Sequence, residues 1–311
     1  MKTRIISAVV LLPIFLVILL VLPTVVTAVV AGLALAIAAY ELLYQTGLMR
    51  HPRLVIYSAI SAFLVSLWSW AGMDQAWGVL LVLCLFAALF GEMMASHIKL
   101  PFEKIAMCFV SGLVIPWLLT ALVRILGMPR LGRHYIIIPL LMAFLPDTGA
   151  YFAGRAFGKH KLAPVISPKK TVEGVIGGVV SSVVGMLLYS LILWLAFDLQ
   201  VNFGYAVIYG IVGAGASVFG DLCFSVIKRQ TGIKDYGSLI TVGLPVFVGL
   251  CSWLVWYYYD RVSYQCPQCN RVFKPKFKQF MFANHTPTTR KLTCTVCGHK
   301  GFCVETSAKP E

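Results

Sequence analysis

The chain has 311 residues, 59% of them hydrophobic and only 12% charged, with a mean hydropathy of +0.85 and a formal net charge of +14. A soluble domain of this length does not have that composition; a polytopic membrane protein does. Helices are the expected spanning element, because lipid offers backbone groups no outside partner and the apolar runs are too long for barrel strands.

Taken in order, Met1–Arg4 carries two cations and Ile5–Leu22 is apolar. This resembles a signal peptide, but it leads straight into another apolar run and reads as a retained first helix. Pro23 breaks the run, and Thr24–Tyr44 makes the second span. Leu54–Ala71 and Ala76–Ala95 are the third and fourth, joined by a short turn around Gly72–Asp74. Ile105–Leu126 is the fifth, with Pro116 as a kink site. Tyr135–Phe152 is the sixth, Gly174–Phe197 the seventh and Gly204–Ile227 the eighth. Val242–Tyr259 is the ninth, ending in Trp253, Trp256, Tyr257, Tyr258 and Tyr259, as suits an interface. The expected fold is therefore an all-α polytopic membrane protein of about nine transmembrane helices at residues 1–260, and the two C-x-x-C pairs Cys266/Cys269 and Cys294/Cys297 mark 261–311 as a small C-terminal zinc ribbon.

Basic residues orient the bundle. With the N-terminus inside, the loops around Arg50, Lys99, Lys159–Lys170 and Lys228–Lys234 are cytoplasmic, and Arg130 and Arg133 fall outside. Nine crossings also place the tail outside. Arg261–Glu311 holds nine Lys/Arg and two Asp/Glu, a net +7, so this conflicts with the positive-inside rule. Either the ninth segment does not fully cross or the tail is exported.

Leu145–Gly178 is the polar interruption of the chain. It holds Asp147, Arg155, Lys159, Lys161, Lys169, Lys170 and Glu173 among glycines and Ser/Thr. Lysines supply charge, glycine lets backbone N–H groups approach, and hydroxyls donate, which together suit a phosphate-rich ligand. An ordinary basic cytoplasmic loop is the plainer reading of the same composition. Asp147 and Asp221 stand at membrane depth, where ionisable groups are functional by default. Lys228 and Arg229 can equally snorkel to headgroups.

The string DTGAYFAGRAFGKHKLAPVISPKKTVEG, Asp147–Gly174, closely resembles the first signature of the phosphatidate cytidylyltransferases, the CDP-diacylglycerol synthases. Gly220–Leu239, GDLCFSVIKRQTGIKDYGSL, resembles their second. The resemblance covers about residues 1–240. It implies an integral membrane nucleotidyltransferase of phospholipid biosynthesis, taking CTP and phosphatidate to CDP-diacylglycerol and pyrophosphate, in the cell membrane with its active-site loops cytoplasmic. Both reactants are anions, so catalysis is mostly positioning and charge neutralisation by Mg²⁺ and Lys/Arg. The resemblance assigns Asp221 to Mg²⁺, with K⁺ as a candidate second cation. Asp221, Lys228, Lys234 and Asp235 are the candidate catalytic residues. Asp147, Lys159, Lys161, Ser167, Lys169, Lys170, Thr171, Glu173, Ser225 and Arg229 are the candidate substrate-binding residues. A second copy of the chain is a candidate partner beside the bilayer.

The chain departs from the family after Asp235. Members continue Pro-Gly-His-Gly-Gly and then carry two aspartates flanking an Arg; here a gapless alignment puts Val248 and Cys251 at those aspartates. Neither is a ligand for Mg²⁺, which takes hard oxygens. Two further readings follow: an impaired relative that still binds CTP or phosphatidate, and a membrane-anchored zinc-ribbon interaction protein.

Cys266-Pro-Gln-Cys269 and Cys294-Thr-Val-Cys297 are two knuckles with 24 residues between them, the pattern of a structural Cys₄ zinc site; two disulfides or four free thiols are the alternatives. Zinc thiolates favour a reducing compartment. Cys84, Cys108, Cys223 and Cys251 lie in apolar spans and read as core. Lys274, Lys276 and Lys278 interleave with Phe273, Phe277 and Phe280, a pattern open to a solvated face, a patch for anionic headgroups, or single-stranded nucleic acid. No recognition fold beyond the ribbon accompanies it, which argues against nucleic acid.

Overall fold

The computed structural model describes residues 19–20, 23–47, 49–96, 100–128, 131–233, 259–283 and 289–306. The expected first and ninth spans lie almost wholly outside the described residues, as do Lys234, Asp235, Val248 and Cys251. Among the described residues seven helical segments are long and apolar enough to cross a membrane. They fall on the second to eighth expected spans.

The chain divides into two compact units, residues 134–236 and the remainder. In the larger unit, α1 (Thr24–Tyr40) continues through a wide π turn at Glu41–Gln45. Helix α2 (Pro52–Trp70) starts on a proline, whose missing N–H costs nothing in a first turn. Helix α3 (Gln75–Ala95) is capped by Asp74, whose carboxylate accepts from the N–H groups of Ala76 and Trp77. The fourth candidate span among the described residues, α4 (Phe102–Leu126), is broken. A π turn at Val110–Val114 widens it just before Pro116, and a further break falls at Thr120. The kink expected at Pro116 is thus spread over two turns.

Hydroxyls tie these helices together where lipid would leave them unpaired. Ser66 Oγ donates to the Ala28 carbonyl (2.7 Å), Ser58 Oγ to the Cys108 carbonyl (3.1 Å), and Ser69 Oγ to Thr120 (2.8 Å). Leu43, Met49, Leu54, Val55, Leu85, Leu89, Ile105 and Cys108 form one buried cluster among α1–α4. Cys108 is core, as expected, whereas Cys84 and Cys223 are exposed on their helices.

The smaller unit is a three-helix module with a β-hairpin. Helix α5 (Ile137–Phe157) runs without a break through Asp147 and on past the expected end at Phe152, despite Pro146 inside it. A hairpin of β1 (Lys161–Ala163) and β2 (Ser167–Thr171) follows, an element the apolar pattern does not announce. Helix α6 (Val172–Phe197) starts directly from it, capped by Thr171, whose hydroxyl accepts from Gly174 N (3.1 Å). Helix α7 (Phe203–Thr231) is capped by Asn202 and closed by Gly232 in the left-handed conformation. Small residues bring α5 and α6 together: a Cβ on Gly177 would meet that of Ala153 at 2.1 Å, and one on Gly149 would meet Ser181 Oγ at 2.1 Å. Ser181 Oγ also donates to the Leu145 carbonyl (2.8 Å).

The tail holds a four-stranded antiparallel sheet, in the order β4 (Val272–Phe273), β3 (Ser263–Gln265), β6 (Lys300–Thr306), β5 (Thr289–Thr293), with a short helix α8 (Phe277–Phe282). One face carries the core: Tyr264, Phe273, Phe280, Leu292, Cys303 and Arg290 are buried. Arg290 is only 2% exposed; it donates to the Phe280 carbonyl and lies over the Phe280 ring at 4.1 Å. Phe273 and Phe280 are therefore interior residues. Of the stripe interleaved with Lys274, Lys276 and Lys278, only Phe277 is exposed, at 46%, so the alternation does not build a continuous aromatic surface.

Candidate functional site

Helical spacing builds the site. Asp147, Ala150, Tyr151, Gly154 and Arg155 recur at intervals of three and four on α5 and so share one face. Across from them stand Lys169 and Lys170 on β2, then Thr171, Gly174 and Val175 at the start of α6, and Val218 and Asp221 on α7. These residues line a cavity of about 410 Å³ inside the smaller unit. Gly154 and Gly174 keep its floor open; a Cβ on either would stand 3.0 Å from Thr171 Oγ1.

The cavity is charged. Lys170 Nζ lies 2.6 Å from Asp221 Oδ2, with the lysine side chain 22% and the aspartate 56% exposed. Two carboxylates, Asp147 and Asp221, thus share one cavity with three cations, Arg155, Lys169 and Lys170. The Arg155 guanidinium reaches the Tyr151 hydroxyl at 3.4 Å. The donor set suits an ion that wants hard oxygens, and the cations suit phosphates. The amino end of α6 adds the positive pole of a 26-residue helix at the same place.

Of the residues singled out from the sequence, Asp147, Lys169, Lys170, Thr171 and Asp221 come together here. Glu173 is not among the cavity-lining residues. Its carboxylate accepts from the backbone N–H groups of Lys159 (3.1 Å) and His160 (3.2 Å), and meets His160 Nδ1 at 2.7 Å. It clasps the start of the hairpin to α6. Arg229 donates from Nε to the Ile166 carbonyl (3.1 Å), holding the hairpin turn to α7. Lys159, Lys161, Ser167, Ser225 and Lys228 are not among the cavity-lining residues. Tyr151 and Arg155 do line it and were missed as site residues; their signal was the four- and eight-residue spacing from Asp147, visible once the helix is known to continue to Phe157.

The second candidate centre is the tail's cysteine cluster. The ligand sulfurs of Cys266, Cys269, Cys294 and Cys297 lie within 4.8 Å of one another. Cys266 and Cys297 are 3.7 Å apart and Cys269 and Cys294 3.8 Å, far beyond a disulfide bond of about 2.05 Å. Four sulfurs about 2.3 Å from one tetrahedral ion stand about 3.8 Å from each other, so the set fits a metal. Both knuckles are built alike. Asn270 N–H donates to the Cys266 carbonyl and Gly298 N–H to that of Cys294, and Asn270 and Gly298 take the left-handed conformation that closes each turn. A hydrogen bond from the Cys269 N–H holds the Cys266 thiol down to about 7, whereas burial pushes Cys303 up to about 11. Cys303 belongs to the core behind the cluster.

The profile of the cytidylyltransferase family matches residues 2–242. Over 242 residues, 77% of this chain and 90% of the other, the chain is 33% identical to the phosphatidate cytidylyltransferase of Staphylococcus haemolyticus. A stretch of 109 residues is 42% identical to the protein of that name from Staphylococcus saprophyticus and 40% identical to that of Staphylococcus aureus, covering 35% of this chain and 40% of each relative.

Proposed function

Since the chain belongs to the cytidylyltransferase family, we propose that it is a CDP-diacylglycerol synthase, an integral membrane enzyme that transfers CMP from CTP to phosphatidate and releases pyrophosphate. The observation that carries this reading is the cavity in which Lys170 and Asp221 pair beside Asp147, Lys169 and Arg155. A phosphate oxygen of phosphatidate attacks the α-phosphorus of CTP, the new P–O bond forms, and the α–β bridging bond breaks to release pyrophosphate. Nothing in that exchange needs a side-chain nucleophile. Lys169, Lys170 and Arg155 neutralise and orient the triphosphate. Thr171 and Gly174 set the hairpin against α6, so that β2 presents both lysines to the cavity. Asp147 and Asp221 are the residues that would hold Mg²⁺, which when bound offsets the charge gathering on the leaving oxygens. Before substrate arrives, Lys170 neutralises Asp221. Lys159, Lys161 and Lys228 are second-line candidates for the lipid phosphate.

The basic hairpin supports a cytoplasmic position for the cavity. In the tail, Zn²⁺ is the ion best matched by four thiolates, with a structural role, since all four positions are filled by protein.

A second reading rests on Val248 and Cys251, where the family carries aspartates: an impaired relative that binds CTP without turning it over. Conversion of labelled CTP and phosphatidate by the purified chain, beside direct measurement of CTP binding, separates the two.

A further inference from the structure

We propose that the outer face of the tail sheet docks on the headgroup layer of a bilayer rich in anionic phospholipid. Strand alternation sends Arg290, Leu292 and Cys303 into the core and leaves Thr289, Lys291 and Thr293 on the opposite face with Lys300, Phe302 and Val304. The register sets Lys291 directly beside Phe302, Thr293 beside Lys300, and Thr289 beside Val304, with Gln265 of β3 on the other side of Val304. Phe302 and Val304 are each 49% exposed, and Lys291 and Lys300 are exposed beside them. Lys291 Nζ lies 6.0 Å from the centre of the Phe302 ring.

Two features distinguish this face from a merely solvated one. It displays a large aromatic and a branched aliphatic side chain, which water does not favour. It also carries cations and no carboxylate: among the described residues of the sheet, Glu305 alternates to the other side. The residues from Arg261 onward have a net charge of +7. An apolar centre flanked by lysines matches a headgroup layer, where rings insert at the interface and ammonium groups meet lipid phosphates. The partner is also at hand. The sheet belongs to a chain with seven candidate membrane spans among its described residues, so the bilayer surface is held at high effective concentration, and a weak face suffices. A single-stranded nucleic acid could stack on one exposed ring, but the sheet offers no run of such rings for successive bases.

The test uses the full chain in nanodiscs of phosphatidylcholine alone, or of phosphatidylcholine and phosphatidylglycerol in equal parts. Each carries a phospholipid with a photoactivatable headgroup, and adducts are mapped by mass spectrometry. Adducts should concentrate on Lys291, Phe302 and Val304 in the anionic discs. In the double variant Lys291→Glu, Lys300→Glu they should fall by about thirtyfold or more, since each lysine near such a surface contributes about fivefold, and high salt should lower them too. Phe302→Ser should lower them further. Unchanged resistance of Cys266, Cys269, Cys294 and Cys297 to alkylation shows that each variant remains folded. Equal adduct yields in the two disc types, or yields indifferent to charge reversal in a folded variant, overturn the proposal. So does a face that stays unlabelled by lipid while crosslinking to a short single-stranded RNA.

Discussion

The cavity of the three-helix module and the cysteine cluster of the tail solve the same problem, gathering charged groups around a ligand, in opposite ways. The cysteine cluster is closed and local: two like turns, each fixed by a backbone hydrogen bond and a left-handed residue, supply all four sulfurs. The cavity is open and assembled from distant parts. Asp147 and Asp221 come from two helices and Lys170 from a hairpin strand, and Lys170 pairs with Asp221 across the cavity. A closed site of four thiolates serves stability; an open one with exposed carboxylates can admit and release substrate.

That contrast predicts how each region breaks. The largest effect belongs to the tail. Cys269→Ser with Cys297→Ser should reduce bound zinc from one ion per chain to none and unfold the sheet, because metal binding in such small modules is worth roughly 10–16 kcal/mol of folding. Metal analysis and proteolysis check this. The synthase activity should persist; its loss with the metal would tie the two regions together.

Next comes Asp221→Asn, which keeps the shape of the side chain and removes its charge. Turnover should fall by about 100- to 1,000-fold, the usual cost of removing one preorganised electrostatic group at a reacting centre, while the folded content of the membrane helices stays the same. Steady-state rates across a magnesium titration provide the check, and Asp147→Asn should behave alike if both carboxylates serve one ion. Lys170→Ala should be milder for binding, weakening CTP affinity by roughly 1.5–3 kcal/mol through loss of a charge-assisted contact. Unchanged nucleotide affinity would remove Lys170 from the site. The smallest effect is expected from Glu173→Gln. It leaves the cavity lining intact but loosens the clasp on Lys159 and His160, so the KM for CTP should rise modestly with little change in kcat. An equal fall in kcat would instead place Glu173 at the reacting groups.

The same contrast explains what was legible in the sequence. The cysteine cluster could be read from spacing alone, since C-x-x-C turns are local and their geometry follows from a few residues. Spans two to eight were legible because hydropathy depends on composition over a window, not on partners. The cavity was legible only in pieces. Asp147 and Asp221 are 74 residues apart, and nothing between them states that α5, α6 and α7 pack together. Glu173 looked like a ligand because it sits in a basic, glycine-rich string; only the hairpin shows its carboxylate spent on backbone N–H groups. The hairpin itself escaped notice, since SPKKT has no alternating apolar pattern to mark a strand. Phe273 and Phe280 misled for the converse reason: their spacing between lysines resembled an exposed stripe, yet both pack inward against Tyr264 and Leu292.

If the charged cavity of the smaller unit makes CDP-diacylglycerol, its products must follow from CTP and phosphatidate alone with Mg²⁺. The most direct test is the purified full chain in lipid discs with α-labelled CTP and phosphatidate, followed for labelled lipid and pyrophosphate as Mg²⁺ is titrated. Labelled lipid and pyrophosphate should appear in equal amounts, dependent on Mg²⁺, and both should fall about 100- to 1,000-fold in Asp221→Asn. Tight CTP binding with no labelled lipid at any Mg²⁺ concentration, or undiminished product from Asp221→Asn, would contradict that role for the cavity.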